Sequence, residues 1–376
     1  MNLRKKKQTS PEQPIVYGPV DWWLLALFLL LLCVGLVAVL SASGPISQRT
    51  YGESYHFFHR QLQSMIAGGI LVSIICWMPR SFINKTHYWG IGIVLVLLML
   101  CLLIGPKING SRRWLDFHFM MLQPMEFARI ALVMYLAYFM SSKQSMILEF
   151  SRGLLPPTLI TVFLCALLLL QPDLGGTIIM MAILFFMCLG GGTKGWYLVC
   201  VLILAAIAAI FLIIIEPYRW ARLTAYLDPF ANAQGVGYQL VQSLLALGSG
   251  GILGVGLGGS IQKTVYLPEA HNDFIMSVIG EETGFVGMTV VMILFALFFY
   301  RCYRVALGQK NLRDRLSAYG LTIVIALSFL LNLAVILGKV PPKGIAMPFI
   351  SYGGSSLLSN MICAGLLLNY SRTMRE

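Results

Sequence analysis

A chain of 376 residues that is 58% hydrophobic and 11% charged, with a mean hydropathy of +0.80, has too little polar surface to coat a water-soluble globule. Its 27 Lys and Arg against 15 Asp and Glu leave a net charge of +12, yet the cations sit mostly in short segments between apolar blocks, so they read as topology signals and not as a nucleic-acid footprint. Each block approaches the roughly 20 residues a helix needs to cross a hydrocarbon core of about 30 Å, whereas barrel strands are shorter and alternate. The expected fold is therefore all-α, a polytopic membrane protein in which each segment satisfies its own backbone.

The basic run Arg4 to Lys7 precedes the first apolar block, and Ser41-Ala42-Ser43 resembles a cleavage site. The block from about Trp22 to Leu40 is longer than the roughly 7 to 15 residues of a signal core, so a retained first helix is expected. Ten spans follow from the apolar blocks, centred near residues 31, 70, 96, 132, 163, 182, 206, 287, 327 and 361. They form one transmembrane unit over 21–371 between a basic tail, 1–20, and a short tail, 372–376. Ten crossings return the termini to one side. Loops on that side hold about 16 Lys and Arg against about 10 opposite, which predicts cytoplasmic termini.

On this topology the outer face carries 105–124, the turn 171–175, a long loop over 216–275 between spans seven and eight, and 338–354. A loop of that length exceeds a mere connector and implies function or its own substructure. Within it, Gln239, Gln242 and Ser243 share one helical face and Leu240, Val241, Leu244 and Leu245 another, which predicts a helix lying in the membrane interface.

The outer segments also hold the chemistry-bearing residues. Arg112 and Arg113 stand beside Trp114; guanidinium groups suit bidentate contact with phosphate, and a headgroup anchor would use the same residues. Gln123-Pro124-Met125-Glu126 opens the fourth span with proline in the first turn, and Glu126 and Arg129 fall on one helix face, as a packing ion pair or as a substrate-side pair. Asp173 follows Pro172 in a tight turn and is placed to cap the next helix. In the run from Tyr266 to Gly284, Glu269, His271 and Asp273 precede an apolar helix that itself contains Glu281 and Glu282; these two either relay protons or satisfy polar groups inside the bundle.

Gly254, Gly256 and Gly259 match GxGxxG, but no strand precedes them, so a dinucleotide site is disfavoured and a flexible hinge that lets backbone approach a ligand or the membrane is preferred. Between spans nine and ten, Lys343 and the run Pro348 to Ser356 break the helical pattern; irregular backbone near a membrane lines a cavity or lies buried in protein, and Lys343 and Ser351 are expected to touch substrate there. Eight cysteines without a CxxC pair and five scattered histidines without HExxH give no disulfide framework and no metal-ligand set.

Taken together, Ser111-Arg-Arg-Trp114, Gln123-Pro-x-Glu126, Gln171-Pro-Asp-Leu-Gly175, Gly237-Tyr-Gln-Leu-Val-Gln-Ser243, Leu267-Pro-Glu-Ala-His-x-Asp273-Phe, Gly280-Glu-Glu282 and Pro348-Phe-Ile-Ser-Tyr-Gly-Gly-Ser-Ser356 resemble the SEDS family, the shape, elongation, division and sporulation proteins of bacteria. The resemblance covers nearly the whole chain, and Pro342-Lys-Gly344 with the basic tail looks more like the division branch than the elongation branch. It implies a peptidoglycan glycosyltransferase of the bacterial inner membrane, at the division septum, that polymerises lipid II beside a class B penicillin-binding protein (FtsI-like) and other divisome proteins. It further implies that Asp273 matches the family's essential aspartate, as general base or as ligand of a divalent cation, Mg or Mn, with Arg112, Arg113 and Lys343 toward the departing pyrophosphate.

Asn272, Met125 and Arg129 stand where the family commonly has threonine, serine and lysine. The last change replaces a point charge by a planar fork. Two competing readings are a lipid II flippase, with Glu126, Arg129, Glu281 and Glu282 along a path, and a scaffold that recruits the crosslinking enzyme.

Overall fold

The computed structural model describes residues 17–374, apart from 109, 118–120, 216, 236, 266–269 and 343. The chain forms α1 (Trp22–Tyr51), α2 (His56–Trp77), α3 (Arg80–Ile104), a two-residue antiparallel ladder of β1 (Leu115–Asp116) and β2 (Met121–Leu122), α4 (Pro124–Ser142), α5 (Leu155–Leu170), α6 (Leu174–Gly191) and α7 (Gly195–Ile215). It continues through α8 (Pro217–Leu227), α9 (Tyr238–Gly250), the single turn α10 (Gln262–Val265), α11 (Ile275–Leu307), α12 (Leu312–Ile336) and α13 (Gly354–Ser371).

All ten expected span centres fall within helices, namely α1 to α7 and α11 to α13. Among the described residues, seven helical segments are long and apolar enough to cross a membrane, which makes the chain a polytopic all-α membrane protein. The long helices α2, α4 and α13 fall outside that set of seven, and for α4 and α13 the reason is position. Both are packed inside the bundle, where a helix meets protein and not lipid, so Glu126 and Arg129 on α4 and Ser355, Ser359, Asn360 and Asn369 on α13 can be buried with partners. The opposite case is α7, which buries Leu198 alone and is apolar on every face, as a peripheral helix surrounded by lipid must be.

Some buried polar side chains satisfy backbone groups that the helices leave open. Asn369 donates to the carbonyls of Ile75, Cys76 and Met78 at distances of 2.8, 3.0 and 2.8 Å, filling the orphan acceptors at the end of α2. At the same end of the bundle the Gly18 amide donates to the Arg372 carbonyl at 2.6 Å, and Asp21 pairs with Arg301 across α1 and α11. The two ends of the described chain therefore meet on one side.

The long loop between α7 and α11 is not an interfacial connector. Within α9, Leu240, Val241, Ser243 and Ala246 are buried, and Ser243 Oγ lies 2.7 Å from Ser277 Oγ and donates to the Ile336 carbonyl at 3.2 Å. The expected polar face is thus turned partly inward, because α11 and α12 offer hydrogen-bond partners that the membrane interface would not. Similarly, the glycine-rich segment does bring its backbone close to something, but the neighbour is α11 and not a ligand. The helix breaks at Gly284, with φ 65° and ψ −164°. Its freed Glu281 and Glu282 carbonyls accept from Val255 N and Gly256 N, each at 3.0 Å, while Phe285 N and Val286 N donate to Gly251 O and Ile252 O at 2.9 and 3.1 Å. A β-carbon at Gly254 would overlap the Glu282 carbonyl, so glycine is required for this backbone splint. A break inside a bundle is tolerated when the freed groups are satisfied in this way.

Candidate active site

Residues from the four segments expected on the outer face converge at the end of the bundle opposite the chain termini. Arg113 donates to the carbonyls of Gln171 and Pro172, and Gln171 in turn donates to Leu98 O at 3.0 Å, so the first loop, the 171–175 turn and the end of α3 form one unit. Asp173 accepts from Gly176 N at 3.0 Å and caps α6. The Gln123 amide donates to Ser355 Oγ at 3.0 Å, joining the start of α4 to the start of α13.

Between these pieces lies a small polar cavity lined by Arg113, Gln123, Glu126, Arg129, Asp173 and Gly344, together with Met125, Gly175, Gly176, Ile179 and Ile345. On its floor Arg129, 1% exposed, forms an ion pair with Glu126 and donates to Ser328 Oγ at 2.7 Å; Ser359 Oγ completes the carboxylate's shell at 2.9 Å. A pair buried this deeply is held by their mutual charge and by the two serine hydroxyls, while Arg129 Nε remains buried without a hydrogen-bond partner.

Asp273 stands at the rim. Gly344, with φ +67°, would place a β-carbon 3.2 Å from Asp273 Oδ2, so the carboxylate lies against the backbone that borders the cavity, and a side chain there would press on it. Its main chain is held at three consecutive carbonyls. Tyr352 N donates to His271 O at 2.9 Å, Ser351 Oγ to Asn272 O at 2.6 Å, and Asn332 Nδ2 to Asp273 O at 2.8 Å. Asn332 Nδ2 also bonds Ile345 O at 2.7 Å, so one side chain ties the Asp273 loop to the Gly344 segment. The N-terminus of α11 follows directly, and the positive end of its dipole favours a carboxylate at this place.

Not every expected site residue joins this group. Arg112 is exposed and donates to Leu102 O and Leu103 O at 3.0 and 2.9 Å, capping the end of α3, so the two neighbouring arginines diverge and Arg113 alone lines the cavity. Ser351, expected to touch substrate, is 3% exposed and its hydroxyl is already engaged with Asn272 O and Met347 N. It holds the loop in place instead.

Glu281 and Glu282 lie apart from the cavity lining. Glu281 accepts from Ser260 Oγ and from Ile261 N at 3.1 Å, and Glu282 pairs with Lys263 and accepts from Ser41 Oγ at 2.7 Å, tying the long loop and α1 to the broken helix. Lys343 and Glu269 lie outside the described residues. Asn332, Ser328 and Ser359 belong to no motif; a polar residue in an apolar segment was the only clue to each.

His271 is 4% exposed, between Phe57, at a ring distance of 4.5 Å, and Tyr352, at 5.5 Å. Burial disfavours the imidazolium and lowers its pKa from 6.5 to about 4. The unfolded chain then binds a proton that the folded chain refuses between those values, so this residue removes stability as pH falls from about 6.5 to about 4. Thermal midpoints of the wild type and His271→Gln should diverge over that window, with the wild type losing more; parallel curves would show that the ring protonates freely in the folded protein.

Residues 21–376 match the family model of the FtsW, RodA and SpoVE cell cycle proteins. The chain belongs to this SEDS family. Among curated relatives, the probable peptidoglycan glycosyltransferase FtsW of Coxiella burnetii is 39% identical over 354 residues, covering 93% of this chain and 95% of that protein. The FtsW of Thioalkalivibrio sp. (strain K90mix) is 40% identical over 358 residues, 94% of this chain and 90% of the relative. A solved structure described as showing structural coordination of polymerization and crosslinking by a peptidoglycan synthase complex superposes with a TM-score of 0.80 at 27% identity, covering 94% of this chain and 98% of that chain. The crystal structure of Thermus thermophilus rod shape determining protein RodA gives 0.71 at 27% identity, over 95% and 98% of the two chains. The SEDS fold and these relatives agree with the sequence motifs over nearly the whole chain.

Proposed function

We propose that this SEDS protein is a peptidoglycan glycosyltransferase that polymerises lipid II into glycan strands, with Asp273 as the catalytic carboxylate. The observation that carries this reading is the placing of Asp273, its backbone held at three successive carbonyls, against Gly344 at the edge of a cavity lined by Arg113. In the reaction the acceptor sugar's hydroxyl passes its proton to Asp273 as its oxygen bonds to the anomeric carbon of the donor. The bond from that carbon to the pyrophosphate oxygen breaks, and the polyprenyl pyrophosphate leaves with the electron pair. Arg113 offers its positive charge to that leaving group, and Lys343, next to Gly344 in the chain, is assigned the same role from sequence alone. The polyprenyl tail stays in the bilayer, which is why the enzyme is built from spanning helices.

Among the described residues no three His, Cys, Asp or Glu side chains are grouped to hold a metal ion. A divalent ion brought in on the substrate's pyrophosphate needs only one or two protein carboxylates, and Asp273 would be the one beside it. The partner in this reading is a class B penicillin-binding protein that crosslinks the new strand, with other divisome proteins, at the septal inner membrane and with both termini cytoplasmic.

A flippase path is less well served: Glu126 and Arg129 are closed on each other, and Glu281 and Glu282 on the long loop. Purified protein, with its crosslinking partner, should convert labelled lipid II into glycan strands resolved by electrophoresis. Translocation of the precursor across liposomes without any strand formation would reverse the assignment.

A further inference from the structure

The loop that carries Asp273 borders two unlike neighbourhoods. Through Asp273 and Gly344 it meets the charged cavity, and through His271, two residues earlier and so within about 7 Å along the backbone, it meets a group of rings. Phe57, from the first turn of α2, lies 4.5 Å from His271 and 5.0 Å edge-on to Tyr352, and Tyr51 at the end of α1 continues the row 5.6 Å from Phe57. The Arg60 guanidinium lies near the Tyr352 hydroxyl, where its charge favours the phenolate against the effect of burial. Tyr51 is 53% exposed, Phe57 and Tyr352 are half-buried, and His271 Nδ1 is buried without a hydrogen-bond partner.

The pieces are joined to the site by direct bonds. Tyr352 N donates to His271 O, Ser351 Oγ to Asn272 O, and Gln61 Nε2, one turn along α2 from Phe57, donates to Ser351 O at 3.2 Å. The rings are thus held in register with the carboxylate. A group of aromatic rings with a guanidinium, a phenol and an unpartnered imidazole nitrogen at its edge matches a pyranose. The sugar's C–H face is weakly positive and is attracted to the negative ring face, while its hydroxyl and acetamido groups need donors and acceptors around the rim.

Resting on the polymerase reading above, we propose that Phe57 and Tyr352, with Arg60 and His271 at their edge, form a subsite for an N-acetylated sugar ring of the acceptor glycan, beside the reacting hydroxyl. The charged side of the loop takes the donor's pyrophosphate. Its aromatic side takes the strand. A strand held there stays seated between additions, so the subsite governs how many sugars are added before release.

The test uses the full-length protein in nanodiscs with β-1,4-linked N-acetylglucosamine oligomers as probe, read by tyrosine and tryptophan fluorescence. Wild type should bind the oligomers. Phe57→Leu keeps the apolar volume and removes the ring; it should bind roughly 3- to 10-fold more weakly, the range expected of one aromatic contact. On labelled lipid II the same variant should make shorter strands. Tyr352→Phe, which keeps the ring and loses the phenol, should fall between the two in both assays.

Binding by Phe57→Leu equal to wild type, or no binding by wild type, overturns the subsite, as does a loss of thermal stability in Phe57→Leu with unchanged strand length, which is the signature of an interfacial anchor. If wild type binds the oligomers with this ring dependence but forms no strands from lipid II, the polymerase reading fails while the saccharide subsite stands.

Discussion

Replacing Asp273 by asparagine should leave the protein folded and lower the rate of strand formation by about 10²- to 10⁴-fold, the range that one positioned general base supplies. The clamps on this residue act through main-chain carbonyls of His271, Asn272 and Asp273, so an isosteric side chain disturbs none of them. What disappears is the anion that accepts the acceptor's proton. Thermal midpoints of the two proteins should therefore agree while their turnover differs. Asn332→Ala offers the contrast: it frees Asp273 O and Ile345 O together, so the carboxylate remains but its position relative to Gly344 loosens. Turnover should fall with the carboxylate intact, and asparagine at 273 should then add less than its full effect, because groups acting as a unit are not additive. Strand synthesis by Asp273→Asn at the wild-type rate would remove this residue from the chemistry.

The largest change in stability is expected at Glu282. Its carboxylate and the Lys263 ammonium are each about 3% exposed and share Ser41 Oγ, which lies 2.9 Å from Lys263 Nζ. Glu282→Leu strands a buried cation, and breaking one side of such a pair costs about 3–5 kcal/mol. The double variant Lys263→Met with Glu282→Leu should recover most of the loss, because two apolar groups need no partner. Both are read as apparent melting temperature in detergent. A single variant as stable as the wild type would mean that Lys263 is solvated in the folded protein. The damage should also reach the site, since the same segment of α11 receives the glycine splint through the Glu281 and Glu282 carbonyls and leads back to Asp273.

Motif spacing located Asp273, Glu126, Arg129 and Asp173 in the segments that the structure gathers around one cavity, and it did so because these are charged residues in stretches where charge is expensive. It could not separate Arg112 from Arg113, since the direction of a side chain depends on which strand or turn the loop adopts. It assigned Ser351 to substrate, whereas the hydroxyl is spent on Asn272 O. Nor did it mark Asn332, a lone amide in an apolar helix whose partners lie 59 and 13 residues away.

The amino-acid order alone determined the membrane class, the number and place of the long helices and the concentration of polar motifs between them. Those properties are local, because transfer of a segment into lipid depends on its own side chains and backbone. Only the tertiary structure decided that the glycine-rich segment braces a broken helix, that Glu281 and Glu282 serve the long loop, and that rings from α1 and α2 meet His271 and Tyr352 on the loop that carries the carboxylate. Each of these is a question of which distant donor meets which acceptor. In a bundle where water is scarce, packing answers it.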